Sequence, residues 1–355
     1  MLVVLHLDLG REWRGGQRQV FYLLEQQRKK KDLIPILASP ANSPLLTKVT
    51  SIYPEIKIIP LSSSFEFSLR SAFKLVSFLK FYTDNSIIIH THEAKAAGLG
   101  ALLKIFRPKL KLIHTRRVSY SVQKKWAKKK YRLADRVVGV SQDICNKFLE
   151  IGLPKEKIAC IPSAIKIENY NPRTKQSWNN PVRLGIIGAF TPQKGHEFLL
   201  KSLALADFDF ELWIVGAGKL ANFLKKLTFD LHLASKVVFK GFVESCNILP
   251  ELDILLVPSR DGEGSSGTIK EGWAAGVPVI ASNLKANLEL VRDRKDGLIF
   301  ERNNPHSLLK AIEELLHDKR LYKHLVQNGL QQVNNFTPHK MEQSYWGVYK
   351  QVIKL

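Results

Sequence analysis

Short apolar runs, many of them β-branched, alternate along the chain with longer amphipathic stretches. In the first half, Leu2–Leu7 and residues 34–38, 56–59, 87–90, 110–114, 137–140 and 158–161 read as strands. Helical stretches lie between most of them, most clearly at 17–31 and 68–82. In the latter, Leu69, Ala72, Phe73, Val76 and Leu79 are expected to fall on one face at helical spacing. Strands that are apolar throughout and separated by helices predict a parallel sheet covered on both faces. A polar stretch with two prolines and no period, residues 168–181, interrupts this rhythm and reads as a linker.

The alternation then restarts. Val182–Ile187, 211–215, 237–240, Ile254–Val257, 278–281 and 297–300 read as strands. Helices are expected at 195–205, 220–232, 267–275, 305–316 and 319–333, and a last one at 338–353. The prediction is α/β: two doubly wound Rossmann-like domains, 1–167 and 182–335, facing a deep cleft, with 336–355 returning to the first domain. In such sheets the ligand crevice lies beyond the carboxyl ends of the strands.

Charge changes this picture more than composition does. The 355 residues carry a formal net charge of +22, and residues 1–180 hold 32 Lys and Arg against 13 Asp and Glu, or +19. A load on one half alone points to an anionic partner. The densest part, 104–136, has 13 basic residues and one acid, Asp135. Its centre sets Trp126 among lysines, with Val122 and Leu133 expected on the same helix face, a composition suited to an anionic membrane surface. Hydrophobic residues make up 45% of the chain, enough for two cores, and no apolar run reaches the roughly 18 residues of a membrane span. The first strand lacks the basic start and cleavage site of a signal peptide, so a cytoplasmic chain, peripheral at the inner membrane face, is expected. The cysteines Cys145, Cys160 and Cys246 have no metal spacing.

Candidate chemistry concentrates at Asp261-Gly-Glu-Gly-Ser-Ser-Gly-Thr-Ile-Lys-Glu271, between a strand and a helix. Glycines and hydroxyls there leave backbone N–H groups free at the helix start, where a diphosphate fits. Glu263 and Glu271 suit sugar and ribose hydroxyls. From Pro258-Ser to Glu271-Gly-Trp-Ala-Ala-Gly-Val-Pro-Val-Ile280, the chain resembles the retaining family 4 glycosyltransferases, which have the GT-B fold. The resemblance extends to Ile186 through Lys194-Gly195, Trp213 through Gly218, Val238 through Phe242, Arg14-Gly-Gly-Gln17, Ile89 through His92 and Ala134 through Ser141, and so covers nearly the whole chain.

What the resemblance implies is specific. A UDP- or GDP-sugar would be the donor and a glycolipid or other anionic glycan the acceptor, as in lipopolysaccharide assembly. No cofactor or metal would be needed. Lys194 would neutralise the diphosphate, Glu263 bind the transferred sugar and Glu271 the ribose. Backbone N–H groups at Ser266, Gly267 and Thr268 would cradle the phosphate, Phe242 and Val243 lie near the base, and Gly15 and Gly16 approach the diphosphate. His114 would be the active-site histidine. Arg14, Gln17, His92, Arg116 and Arg117 are the acceptor candidates. The arginine that many members carry after the first donor-domain strand is Ala189 here, so Arg14, Arg18, Arg116 or Arg117 would supply the missing cation. We expect His90 and His92 to face opposite sides of their strand, which leaves no shared metal site. Asp207-Phe-Asp209 imitates a metal-binding motif but falls at the amino end of a strand, away from the crevice. A monomeric hexosyltransferase is the expectation. A soluble acceptor, a nucleotide-sugar epimerase and a nucleic-acid-binding protein are the alternatives; the last has no recognisable module.

Overall fold

The computed structural model describes residues 1–354 apart from 83–85, 123–124 and 174–177. Lys124 of the basic stretch and residues 174–177 of the expected linker therefore lie outside the described residues. The chain forms two units, Met1–Ala164 with Pro338–Leu355, and Ile165–Thr337.

The first unit contains β1 (Leu2–Leu7), β2 (Leu33–Pro40), β3 (Lys57–Leu61), β4 (Ser86–Thr91), β5 (Lys111–Arg116), β6 (Arg136–Gly139) and β7 (Ile158–Cys160). They pair in parallel in the order β3-β2-β1-β4-β5-β6-β7. Alternate residues of β1 serve opposite faces. Val3, Leu5 and Leu7 join a core with Leu75, Leu99 and Phe148, and Leu2 and Val4 join another with Leu23, Leu24, Tyr345 and Tyr349. The C-terminal helix Pro338–Lys354 supplies those tyrosines and packs on the helix Gly15–Gln27.

One helix departs from its expected orientation. The helix Leu69–Leu79 starts at Ser68, whose hydroxyl accepts from the Ser71 N–H at 3.2 Å. Its inward stripe is Ala72, Leu75 and Leu79, while Leu69 and Phe73 are 63% and 79% exposed. The helix carries more apolar positions than one stripe can bury, and the stripe centred on Leu75 faces the core.

The second unit repeats the plan with β8 (Val182–Ile187), β9 (Phe210–Val215), β10 (Val237–Gly241), β11 (Ile254–Val257), β12 (Val279–Ser282) and β13 (Leu298–Phe300). Its order is β10-β9-β8-β11-β12-β13, again parallel. In each sheet the order reverses beside the first strand, between β1 and β4 and between β8 and β11. This is the doubly wound pattern, and a ligand crevice opens at that reversal. Asp207 and Asp209 precede β9 at its amino end, and Asp209 pairs with Lys236 at 3.4 Å.

Residues 168–181, expected as a linker, are built into the second unit where they are described. The Arg173 N–H donates to the Ala275 carbonyl at 2.8 Å, and its guanidinium pairs with the fully buried Asp253 at 2.5 Å. Asp253 also accepts from the backbone N–H of Asn179 at 3.0 Å and of Arg183 at 2.7 Å. The Trp178 indole donates to the Leu316 carbonyl at 3.2 Å. Polar anchoring of this kind leaves no hydrophobic period to read. Removing one partner of a buried ion pair strands the other charge. Asp253→Ala is therefore expected to lower the unfolding free energy of the second unit by about 3–5 kcal/mol, read from the urea midpoint. A change within error would show that the segment is not anchored there.

Candidate functional site

At the reversal point of the second sheet, three segments meet. The chain leaves β8 through Gly188 and Ala189, makes a short turn at Pro192–Lys194 and enters the helix His196–Leu203. Gly195 between them has φ of +75°, and a Cβ there would lie 2.0 Å from the Pro258 carbonyl oxygen. Only glycine lets the turn rest this closely on the loop after β11. The Arg260 N–H closes the contact by donating to the Gln193 carbonyl at 2.8 Å. The result brings Lys194 Nζ to 2.6 Å from Glu263 Oε1, which also accepts from the Ser259 hydroxyl at 2.8 Å. Glu263 is buried and Lys194 half-buried. The lysine and glutamate expected to hold diphosphate and sugar thus hold each other.

The helix Gly267–Ala274 begins beside this pair. Its capping residue, Ser266, makes no side-chain cap, and its buried hydroxyl has no partner among the described residues. Gly267 is exposed, and Thr268 is half-buried. Glu271 lies under the first turn, its Oε1 3.9 Å from where a Gly267 Cβ would sit. A helix start left uncapped in this way has N–H groups suited to an anion. Next to Glu271 is a residue the sequence reading passed over. Lys270 is fully buried, donates to the Ser265 hydroxyl at 2.5 Å and lies over the Phe336 ring at 4.7 Å. Burial brings its pKa down to about 7, with Glu271 acting against the shift. His196 was also passed over. It is buried against Phe190, neither ring nitrogen has a partner among the described residues, and burial, with Lys194 nearby, lowers its pKa to about 4. A histidine following Lys-Gly carries no periodic signal, so only packing reveals it. After β10, Gly241 turns with φ of +69°, Phe242 is 72% exposed and Val243 half-buried.

The first unit has its own reversal point. The helix Gly15–Gln27 starts there, with open space around Gly15; a Cβ on Gly16 would lie 3.6 Å from Arg117 Cδ. Arg117 Nε and Nη1 have no partner among the described residues. Gln17 turns inward, donating to Asp8 Oδ1 at 3.1 Å, and burial raises the pKa of Asp8. Arg14 is exposed and paired with Glu12. Arg116 folds onto its own loop, donating to the Val118 and Tyr120 carbonyls. Of Arg14, Arg116 and Arg117, only Arg117 keeps buried guanidinium nitrogens without a partner among the described residues.

Two histidine expectations need correction. Residues two apart on a strand share a face, so His90 and His92 lie together, with ring centroids 4.0 Å apart, and His6 joins them from the neighbouring β1. The nitrogens of the three are close enough to ligate one ion, but all six already have hydrogen-bond partners. Arg117 donates to His92 Nδ1 at 3.4 Å, His92 Nε2 to His6 Nδ1 at 2.9 Å, and His6 Nε2 to Gln27 Oε1 at 2.7 Å. Gln27 donates to the Tyr349 hydroxyl at 3.2 Å, which donates to His90 Nδ1 at 2.7 Å. His90 Nε2 then donates to the Thr115 hydroxyl at 2.8 Å, 3.1 Å from the Tyr345 hydroxyl. Arginine can only donate and a carboxamide oxygen only accept, so one direction of donation satisfies every imidazole nitrogen of the three. His114, expected at the active site, points to the opposite face of β5. Its Nδ1 meets the Thr91 hydroxyl at 2.5 Å, and its Nε2 donates to the Lys130 carbonyl at 3.1 Å. No nitrogen is left for a substrate, and His114 is a packing residue.

Two parallel-sheet α/β domains of this order are the fold of the GT-B glycosyltransferases. Residues 13–169 match the model of Glycosyltransferase Family 4, and residues 181–318 match that of Glycosyl transferases group 1. An uncharacterized glycosyltransferase of Methanocaldococcus jannaschii is 31% identical over 278 residues, 75% of each chain. The UDP-Gal:alpha-D-GlcNAc-diphosphoundecaprenol alpha-1,3-galactosyltransferase of Escherichia coli is 26% identical over 90% of this chain and 89% of its own. Among solved structures, Anabaena Alr3699/HepE in complex with UDP superposes with a TM-score of 0.86 at 17% identity, covering 98% and 99% of the two chains. The chain belongs to the family 4 glycosyltransferases.

Burial holds the pKa of His6 and His196 down to about 4 and that of His114 to about 3, from an ordinary value of 6.5. The pKa values of His90 and His92 also lie well below it. These imidazoles are neutral when folded and take up protons near pH 6.5 only when unfolded, so stability falls as pH drops from 6.5 toward 4. Each site contributes on the order of 1 kcal/mol per pH unit in that window. The melting temperature is expected to fall steadily from pH 7 to pH 5; a flat profile would contradict the neutral network.

Proposed function

We propose that this protein is a retaining glycosyltransferase that moves a hexose from a nucleoside-diphosphate sugar to an anionic or lipid-linked glycan at the inner face of the cytoplasmic membrane. The observation that carries the donor reading is the Lys194–Glu263–Ser259 cluster beside the open start of helix Gly267–Ala274. A diphosphate entering there draws Lys194 from Glu263 and accepts the N–H groups at Gly267 and Thr268. Glu263, released from the lysine, is free to hold sugar hydroxyls, and Glu271 holds the ribose diol. The exposed Phe242 offers a face to the base. With a lysine and a helix terminus to receive the charge, the diphosphate departs without a metal ion.

The chemistry follows from that arrangement. The acceptor hydroxyl oxygen bonds to the anomeric carbon as the bond to the diphosphate oxygen breaks. Its proton passes to the departing phosphate on the same face, so the configuration is retained. Lys194 and the helix terminus stabilise the charge that develops on the diphosphate. In the first unit, Arg117 and the N–H groups at Gly15 and Gly16 take an anionic group of a substrate. His92, hydrogen-bonded to Arg117, orients it. The E. coli relative named above, whose acceptor by name is a diphosphoundecaprenol-linked sugar, supports a lipid-linked acceptor. The charge of the first half supports an anionic one. No helix among the described residues is long and apolar enough to cross a membrane, so the membrane reading is one of surface attachment.

Thermal unfolding with UDP, GDP, ADP and CMP in turn, in chelator, tests the donor reading. One nucleotide is expected to stabilise the protein by about 2.7 kcal/mol at a hundredfold excess over its dissociation constant, and Glu271→Ala to abolish the effect. No stabilisation by any of them would overturn the reading. Arg117→Ala is expected to weaken transfer to an anionic acceptor; unchanged transfer would contradict a role for that guanidinium.

A further inference from the structure

The helix Leu69–Leu79 has two apolar faces and only one core to bury them in. Its inner face is Ala72, Leu75 and Leu79. On the outer face Leu69 and Phe73 are 63% and 79% exposed, and Phe81 just beyond the helix is 84% exposed. Phe65 and Phe67, in the loop leading into it, are also exposed. A soluble surface tolerates scattered exposed side chains of this size, but a run of five within seventeen residues marks a contact surface.

Along the sequence, the charges that follow Glu66 have one sign up to Asp84. Arg70, Lys74 and Lys80 share the outer face, and between Glu66 and Asp84 the sequence has no acid. Glu66 is turned inward, accepting from Lys130 Nζ at 2.8 Å and from the Trp126 indole at 3.2 Å. Its charge is spent there. The same contacts dock the basic helix Lys125–Arg132 alongside, with the Trp126 ring 5.3 Å from that of Phe67. Lys125, Lys129 and Arg132 remain exposed.

We propose that the outer face of helix Leu69–Leu79, with the Phe65–Phe67 loop before it, enters the headgroup layer of an anionic bilayer, and that the helix Lys125–Arg132 adds its charge at the rim. Phenylalanine and leucine side chains with lysine and arginine interleaved, and a single carboxylate, Glu66, neutralised by Lys130, fit an interface of acyl chains beneath anionic headgroups. A nucleic acid would use the cations but leave Leu69 and Phe73 without an apolar partner. This deepens the membrane part of the functional reading and is independent of the donor site.

Co-sedimentation of the full chain with phosphatidylcholine vesicles, with and without phosphatidylglycerol, tests it. The protein is expected to bind the phosphatidylglycerol vesicles, and the variant Leu69→Ser/Phe73→Ser to lose about tenfold or more in partitioning. Because both side chains already face solvent, its melting temperature and its stabilisation by nucleotide should match the parent. Arg70→Gln/Lys74→Gln should weaken binding to the anionic vesicles alone. The proposal is overturned if the apolar variant binds as the parent does, if the parent binds neither vesicle, or if the parent self-associates in solution and the variant does not, which would assign the face to a second copy. Nucleotide binding without vesicle binding by the parent would sink this surface alone; vesicle binding without nucleotide binding by the parent would sink the donor reading alone.

Discussion

Where the strand order of a parallel sheet reverses, the chain leaves two adjacent strands toward opposite faces, and nothing in the sheet fills the gap between their carboxyl ends. Both units of this protein are organised around such a gap. In the second, it lies between β8 and β11, and the residues with chemistry to offer are those released into it: Lys194 after β8, Ser259 and Glu263 after β11, and the start of helix Gly267–Ala274. Gly195, resting against the Pro258 carbonyl, sets how close the two loops approach. A larger residue there would push Lys194 away from Glu263, and the cluster depends on that contact.

The first unit solves a different problem. It buries three histidines, a glutamine and two tyrosines behind its own gap, where unpaired polar groups would be costly. The solution is a run of hydrogen bonds with one consistent direction from Arg117 to His90 and Thr115, in which each ring nitrogen has one role. The network ties the mouth of the sheet to the C-terminal helix through Tyr345 and Tyr349, so the last residues of the chain help to hold Arg117 and His92. It also disfavours charged imidazoles at His92 and His6, where protonating Nδ1 would set a donor against a donor.

Much of the fold was legible because parallel strands buried on both faces leave continuous apolar runs, and each predicted run lies on a strand. The candidate donor site was legible for another reason. Glu263, Ser266, Gly267 and Glu271 lie within nine residues on one loop and helix, and Lys194 stands next to an obligatory glycine. What sequence could not supply was pairing across distance. His6 meets His90 only because β1 and β4 are neighbours in register. His114 turns away because Thr91 stands opposite it. Residues 168–181 looked like a linker because their attachments, Arg173 and Asn179 to Asp253, are polar and aperiodic. The helix Leu69–Leu79 misled by excess, with two apolar faces where periodicity assumes one.

The central claim is that the gap between β8 and β11 receives the donor's diphosphate. Amide hydrogen exchange along the whole chain, with and without a nucleoside diphosphate, tests it most directly, because backbone N–H groups are the proposed ligands. The account predicts slowed exchange concentrated at residues 188–195 and 262–272. Protection confined to other segments, or none with any nucleotide, would contradict it.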